Sequence, residues 1–243
     1  MDWCGKPSAL GDNKGMAIEL QNALYVVATP IGCLQDISAR ALDVLAGVDW
    51  VAAEDTRQTG KLLQFFGIKQ RLIALHAHNE QRQAGRLVAR LQSGEKGALV
   101  SDAGTPLVSD PGSFLVSNCH DSQICVVPVP GACAAIAAVS AAGFLDSAFV
   151  FHGFLPVKGA ARRTVLQGYQ YQSASVVFYE APHRIEALLD DVVTVLGGER
   201  VLVLAREITK KFESIVRDRA DKIVELLKND ANMKRGEIVL VLG

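Results

Sequence analysis

Short apolar runs alternate along the first half of the chain with segments in which apolar residues recur every three or four positions. Five such pairs follow one another, from the run Leu24–Ala28 to the helical pattern Ala132–Ala141. Strand-like runs separated by helices are typical of an α/β sheet with mostly parallel strands. We therefore predict an N-terminal α/β domain of this kind over residues 24–145.

The pattern changes after Leu145. Two predicted strands, Val201–Ala205 and Ser214–Arg217, follow each other with no helical pattern between them, which indicates a mixed sheet. We expect a second α/β domain over residues 146–243 and, before the first strand, a disordered N-terminal extension over residues 1–23.

Composition narrows the class of protein. Hydrophobic residues make up 49% and charged residues 21% of the chain, and the net charge is -1; this is an ordinary globular composition with no overall attraction to nucleic acid or membrane. The run Val126–Leu145 has the length of a membrane span, but Pro128, Pro130 and Gly131 interrupt it, so we interpret it as a strand, a loop and a buried helix.

The first residues contain no apolar stretch typical of a signal peptide. The five cysteines include no C-x-x-C pair, which argues against a disulfide framework and a zinc knuckle. His76 and His78 lie two positions apart but have no third ligand at suitable spacing, so we expect no metal site. We expect a cytoplasmic protein.

Polar and glycine-containing segments follow each of the five predicted strands of the first domain. The carboxyl ends of parallel strands meet at one edge, and open α/β sheets bind their ligands there. We therefore predict one shared site. The segments are TPIG (29–32), EDTR (54–57), HAHNE (76–80), SDAGTP (101–106) and PVPG (128–131).

These segments contain neither a G-x-G-x-x-G nor a G-x-x-x-x-G-K-[ST] motif, so neither a dinucleotide nor ATP is favoured as ligand. Gly104 permits a positive φ, and Asp102 is able to accept hydrogen bonds from an amine or hydroxyl. Asp55 or Thr56 fits a helix N-cap. His183, in a polar segment of the second domain, is a candidate general base or an ordinary surface residue.

Two groups of basic residues lie in the second half of the chain. Such groups usually form a solvated face, but they bind phosphates where they share one edge. They are Lys158, Arg162 and Arg163, and then Arg206, Lys210 and Lys211.

Taken in order, nine stretches make the chain resemble the bacterial small-subunit ribosomal RNA 2′-O-methyltransferase I family, within the tetrapyrrole methylase superfamily. The resemblance covers nearly all of residues 24–243, although Cys33 stands where the family usually has Asn, and the chain ends where many relatives continue into a small helical domain. The stretches are TPIG, AAEDTR, HNE, SDAGTPLVSDPG, PVPGACAAIAAVSAAG, GFLP, FYEAPHR, AREITK and GEIVLV.

The resemblance implies a homodimer that uses S-adenosylmethionine (SAM), held in a cleft between two α/β domains, to methylate the ribose 2′-oxygen of a cytidine in the 16S rRNA of the small ribosomal subunit. It implies no membrane partner. The cofactor-binding residues implied are Pro30, Ser101, Asp102, Ala103, Thr105, Pro130, Gly131, Ala132, Cys133, Leu155 and Gly236.

The reaction also needs a group that removes the 2′-hydroxyl proton and a surface that binds RNA. The candidate catalytic residues are Asp55, Glu80, Glu180 and His183, and the sequence does not rank them. The candidate RNA-binding residues are Arg57, Asn79, Lys158, Arg162, Arg163, Arg206 and Lys210.

Three other functions stay open at this point. Within the superfamily, the methyl acceptor would be a tetrapyrrole or a modified histidine. From another class, the chain would be a non-catalytic ribosome-binding module, which predicts binding without methyl transfer. A hydrolase with Asp, His and Ser at strand ends is the third, although no G-x-S-x-G motif supports it.

Overall fold

The structure, a computed structural model, describes residues 19–145 and 148–243. The chain divides into two compact units after Ala132. Most of the predicted N-terminal extension lies outside the described residues. Its last residues pack against the first unit, because Ala23 is fully buried and the Asn22 amide donates to the carbonyls of Leu91 and Glu95.

The first unit contains a five-stranded sheet in which every neighbouring pair is parallel, which confirms the predicted fold class. The strand order is β3-β2-β4-β1-β5. Every residue of β2 and β4 is buried, as expected for central strands covered on both faces. The strands are β1 (Leu24–Val27), β2 (Trp50–Ala53), β3 (Leu72–Ala74), β4 (Gly97–Val100) and β5 (Val126–Val129).

Helices cover both faces of this sheet and form two apolar layers. Residues of α1 and α2 pack on the face that carries Val51 and Ala53, whereas residues of α3 and α4 pack on the face that carries Trp50 and Ala52. The alternation along β2 therefore divides its side chains between the two layers. The helices are α1 (Ala39–Gly47), α2 (Thr56–Phe65), α3 (Glu80–Gln92) and α4 (Ser113–Asp121).

Strand β5 begins and ends two residues later than the predicted run Ile124–Val127, and it includes Pro128. Proline is excluded from central strands because it has no N–H to donate. Strand β5 lies at the end of the strand order, so it pairs with β1 alone and accommodates Pro128 opposite Val26. The glycine-containing loop after β5 therefore begins at Pro130.

The second unit contains a mixed five-stranded sheet with the order β6-β7-β10-β8-β9, again as predicted. Only β6 and β7 pair in parallel. The elements are α5 (Ala134–Ala142), β6 (Phe149–Phe154), α6 (Gly159–Gln167), β7 (Ser175–Glu180), α7 (Ile185–Leu196), β8 (Val201–Arg206), β9 (Ser214–Arg219), α8 (Ala220–Asn229) and β10 (Ile238–Leu242).

Helix α5 belongs to the second unit. We predicted a boundary after residue 145, which would place this helix in the first domain, whereas the chain divides before it. The physical reason is its packing: Ala135, Ala138 and Ala142 pack on the face of the second sheet that carries Val177 and Val203. The opposite face of that sheet packs against α6, α7 and α8.

Gly97 provides a test of the packing in the first unit. It lies opposite the fully buried Trp50, and a Cβ at this position would overlap the indole ring. We expect Gly97→Ala to lower the free energy of unfolding by about 1–3 kcal/mol, the usual cost of overpacking. Gly85, exposed in α3 with nothing near its Cβ position, is the control: Gly85→Ala should raise it by about 0.5–1 kcal/mol. Urea unfolding measures both, and equal effects would contradict this account.

Candidate functional site

Backbone pairing joins the loops that follow β1 and β4. The Thr29 amide donates to the Gly104 carbonyl at 2.8 Å, and the Gly104 amide donates back to the Thr29 carbonyl at 3.0 Å. Gly104 has φ +81°, a conformation that favours glycine. The Thr29 hydroxyl also donates to the Ser101 carbonyl at 3.3 Å. The two loops are therefore fixed relative to each other.

The loop that follows β5 lies against the same pair. The Thr105 hydroxyl donates to the Ala132 carbonyl at 3.0 Å. A Cβ at Gly131 would lie 2.9 Å from the Ala28 Cβ, which is closer than real side-chain contacts, so glycine permits this approach. The structure thus brings together three of the five polar segments that the sequence placed at one edge of the sheet.

A side chain links the loop after β2 to the same edge. The Asp102 carboxylate accepts a hydrogen bond from the Asp55 amide at 2.9 Å. Asp55 is the N-cap of α2 and accepts from the Arg57 amide at 2.8 Å, while the Arg57 guanidinium donates to both of its carboxylate oxygens. These hydrogen bonds with Arg57 hold the pKa of Asp55 well below its usual range. Asp55 is therefore poorly suited to accept a proton near neutral pH.

Two further carboxylates at this edge have raised pKa values. Burial raises the pKa of Asp110 to about 6, and the negative charges of Glu54 and Asp102 add to the effect while a hydrogen bond with Ser101 opposes it. Burial and the charge of Asp102 likewise raise the pKa of Glu54, against the opposing effect of His76. The predicted site residues did not include Asp110. The second aspartate of the segment SDAGTPLVSDPG was the signal that would have identified it.

Glu80 is placed where it supports the loop of residues 101–112. Its side chain is buried, with the residue 6% exposed, and one carboxylate oxygen accepts from the amides of Gly112 at 2.9 Å and Phe114 at 2.7 Å. These amides lie at the beginning of α4, where a carboxylate is favourable. Glu80, one of the candidate catalytic residues, is therefore engaged by the amides at the end of the loop.

Asn79 is likewise engaged within its own turn. Its carbonyl oxygen accepts from the His76 amide at 2.9 Å, and its amide donates to the Ala74 carbonyl at 3.1 Å. These two hydrogen bonds shape the segment between β3 and α3.

In the second unit, Glu180 and Arg184 connect the ends of β6 and β7. Glu180 is buried, and its Oε1 lies 3.1 Å from Arg184 Nε. Arg184 Nη2 donates to the carbonyl of Leu155 at 2.6 Å. Burial raises the pKa of Glu180, although its hydrogen bond with the Ala181 amide and the charge of Arg184 oppose this. His183, between them in sequence, is exposed.

Two of the predicted RNA-binding cations are instead buried. Arg162 is 6% exposed and pairs with Asp191, whereas Arg206 is 9% exposed and donates to the Ser214 hydroxyl and the Arg235 carbonyl. Neither side chain reaches a phosphate without leaving these partners. Sequence clustering missed this because it does not reveal which face of an element carries the charge.

The remaining predicted cations are accessible to different degrees. Lys158 is exposed before α6, and Arg163 is half-exposed while it pairs with Asp191. Lys210 pairs with two carboxylates, and Arg57 is largely exposed beside Asp55. Arg57 and Lys158 are thus the most open of the predicted RNA-binding side chains.

The predicted cofactor residues also differ in what they offer to a ligand. Leu155 packs in the core of the second unit, so only its backbone is available. Gly236 has φ +82°, and a Cβ there would overlap Glu207. In the first unit Pro30 and Ser101 are buried, Thr105 and Ala132 are half-buried, and Asp102, Ala103, Pro130 and Gly131 are exposed. Cys133 precedes α5 in the second unit and is half-buried.

Within residues 19–145 and 148–243, no group of three histidine, cysteine or acidic side chains is arranged to hold a metal ion. No helix in that part of the chain is long and apolar enough to cross a membrane.

A profile of the Tetrapyrrole (Corrin/Porphyrin) Methylases matches residues 23–224. A protein of Escherichia coli O157:H7 named ribosomal RNA small subunit methyltransferase I is 52% identical over 91% of this chain and 78% of its own length. The protein of the same name from Pseudomonas aeruginosa is 54% identical over 90% of this chain and 78% of its own length.

Solved structures share the fold at low sequence identity. A diphthine synthase superposes with a TM-score of 0.69 and 17% identity, covering 90% of this chain and 89% of that one. A uroporphyrin-III-C-methyltransferase from Thermus thermophilus superposes with a TM-score of 0.64 and 20% identity, covering 90% and 93%. The chain belongs to the tetrapyrrole methylase family and, within it, to the ribosomal RNA small subunit methyltransferase I family.

The role of Glu80 can be tested by two substitutions. We expect Glu80→Ala to lower the free energy of unfolding by about 2–3 kcal/mol, because two amides lose a charged acceptor. Glu80→Gln keeps an acceptor oxygen and should cost about 1 kcal/mol. Urea unfolding gives these values, and hydrogen exchange should show faster opening of residues 103–112 in Glu80→Ala than in Glu80→Gln. Equal losses in both variants would contradict the assigned role.

The raised pKa of Asp110 predicts a pH-dependent stability. Ionisation is disfavoured in the folded protein, so the contribution of Asp110 is complete below pH 4 and is lost as the pH rises through about 6. The change in the free energy of unfolding caused by Asp110→Asn should therefore be more favourable at pH 8 than at pH 4.5. The expected difference is about 1 kcal/mol after allowance for the half-exposed side chain. Urea unfolding at both pH values measures this, with the exposed Asp36→Asn as control. A pH-independent difference would refute the assignment.

Proposed function

We propose that the protein transfers the methyl group of SAM to the ribose 2′-oxygen of a cytidine in small-subunit ribosomal RNA. The observation that carries the proposal is the set of hydrogen-bonded loops at the carboxyl edge of the parallel sheet. They lie in a chain about half identical to proteins named ribosomal RNA small subunit methyltransferase I. The carboxyl edge of an open parallel sheet is where such folds bind ligands.

The residues at this edge fit SAM. The ligand carries positive charge on its sulfonium and its amino group, and the edge presents the exposed Asp102 together with Glu54 and Asp110. The negative charges of Glu54 and Asp102 help to raise the pKa of Asp110, and that of Asp102 helps to raise the pKa of Glu54, so a bound cation would be favoured beside them. The close approach of Gly131 to Ala28 leaves no room for a side chain at position 131.

SAM supplies a methyl group already activated by its sulfonium. What remains for the chain is to orient the ribose hydroxyl, to exclude water and to accept the hydroxyl proton. Asp110 suits the last task because its pKa of about 6 lies near neutral pH. The exposed His183 is the second candidate. Asp55 is disfavoured by its lowered pKa, and Glu80 by its two amide partners.

The test is transfer of a labelled methyl group from SAM to assembled small ribosomal subunits that lack the modification, with naked small-subunit rRNA and a tetrapyrrole precursor in parallel. We expect label on the ribose of a cytidine in the RNA arms. Label on the tetrapyrrole alone would establish the alternative acceptor. Binding to the subunit without SAM and without transfer would indicate a non-catalytic module.

One substitution tests whether Asp102 contributes to SAM binding. Asp102→Asn removes the charge but keeps an oxygen that can accept from the Asp55 amide. We expect it to weaken SAM binding about 10-fold, the effect of losing one charge-assisted contact. Isothermal titration calorimetry measures the affinity, with the exposed Asp121→Asn at the far end of α4 as control. Unchanged affinity in Asp102→Asn would remove this residue from the cofactor site.

A further inference from the structure

The loop between β8 and β9, here called hairpin loop 207–213, has a fixed conformation. The Lys210 amide donates to the Glu207 carbonyl at 2.9 Å, and the Glu213 amide donates to the Lys210 carbonyl at 3.1 Å. The Glu213 carboxylate accepts from the Thr209 amide at 2.6 Å. Glu207 and Thr209 have φ values of +53° and +66°. Such strain in residues other than glycine persists only where the surroundings impose it, and it is concentrated at functional sites.

Lys210 contacts two carboxylates beside the loop. Lys210 Nζ lies 3.1 Å from Glu207 Oε1 and 3.0 Å from Glu237 Oε2. Burial opposes the charge of Lys210, but the contacts with Glu237 and Glu207 raise its pKa. The hydrogen bond from the Glu237 amide lowers the pKa of Glu207. Lys210, one of the candidate RNA-binding residues, thus helps to hold the loop in place.

Lys211 and Phe212, which lie between Lys210 and Glu213 in the sequence, are exposed. Phe212 is 63% exposed, and Lys211 Nζ lies 5.5 Å from the centre of its ring. The fixed loop therefore presents an exposed aromatic ring with an ammonium group over one of its faces. Aromatic rings that stack on unpaired bases, together with cations that contact the backbone, are the means by which proteins bind single-stranded nucleic acid.

We propose that hairpin loop 207–213 binds an unpaired base of the RNA substrate, with Phe212 stacked on the base and Lys211 at an adjacent phosphate. The inference rests on the proposed function, since it assumes that the substrate is RNA. A ring on a preorganised loop loses little conformational freedom on binding, which favours its use in recognition.

Four variants test the proposal by affinity for small-subunit rRNA lacking the modification, with affinity for SAM measured separately. Phe212→Ala and Phe212→Leu should each bind the RNA about 5- to 100-fold more weakly, whereas Phe212→Trp should bind like the unchanged protein because it keeps a stacking face. Lys211→Ala should reduce the slope of log affinity against log salt by about one. Affinity for SAM should not change. Phe65→Ala, at a comparably exposed ring on α2, is the control.

Three results would overturn the proposal. Unchanged RNA affinity in Phe212→Ala excludes a contact to the base, and unchanged affinity in Phe212→Leu shows apolar packing rather than stacking. A change in oligomeric state by sedimentation, with RNA affinity unaltered, identifies the loop as a contact between copies of the chain. Because these readouts need no methyl transfer, they distinguish failure of the inference from failure of the proposed function.

Discussion

Parallel pairing of five short strands is the constraint on which the first unit depends, because it requires every strand to end at the same edge. The loops that follow β1, β4 and β5 lie against one another, and at Gly131 the approach is closer than a side chain permits. The pairing of Thr29 with Gly104 and the contact of Gly131 with Ala28 are the local solutions. Glycine at positions 104 and 131 is thus a consequence of how closely these loops approach one another.

The buried and half-buried carboxylates of the protein have two kinds of surroundings. Some carboxylates are satisfied by neighbouring donors, as Glu80 is by the amides at the beginning of α4 and Asp191 is by Arg162. Others, such as Asp110 and Glu54, lie close to like charges and have raised pKa values. Groups of the first kind stabilise the fold, whereas those of the second kind are left electrostatically unbalanced, as ligand-binding groups commonly are.

Most of the fold could be predicted from the sequence, because hydrophobic periodicity reports directly which residues face the core. The edge of the sheet where the polar segments gather followed from the same pattern. The contacts of individual side chains could not be predicted from that pattern. Arg162 and Arg163 are adjacent in sequence, yet one is buried against Asp191 and the other is half-exposed. Helix α5 packs on the second sheet through its alanines, and its nearly uniform apolar composition held no information about which sheet it would meet.

Pro128 has a consequence for the behaviour of the protein in solution. The carbonyls of Cys125 and Val129 accept from the amides of Leu24 and Ala28, so the alternation along β5 turns Pro128 towards the open edge of the sheet. An open edge is a template on which a second chain can add a strand, and this is a common beginning of aggregation. The proline removes one donor from that template. Pro128, which is accommodated only in an edge strand, therefore disfavours the addition of a further strand at that edge.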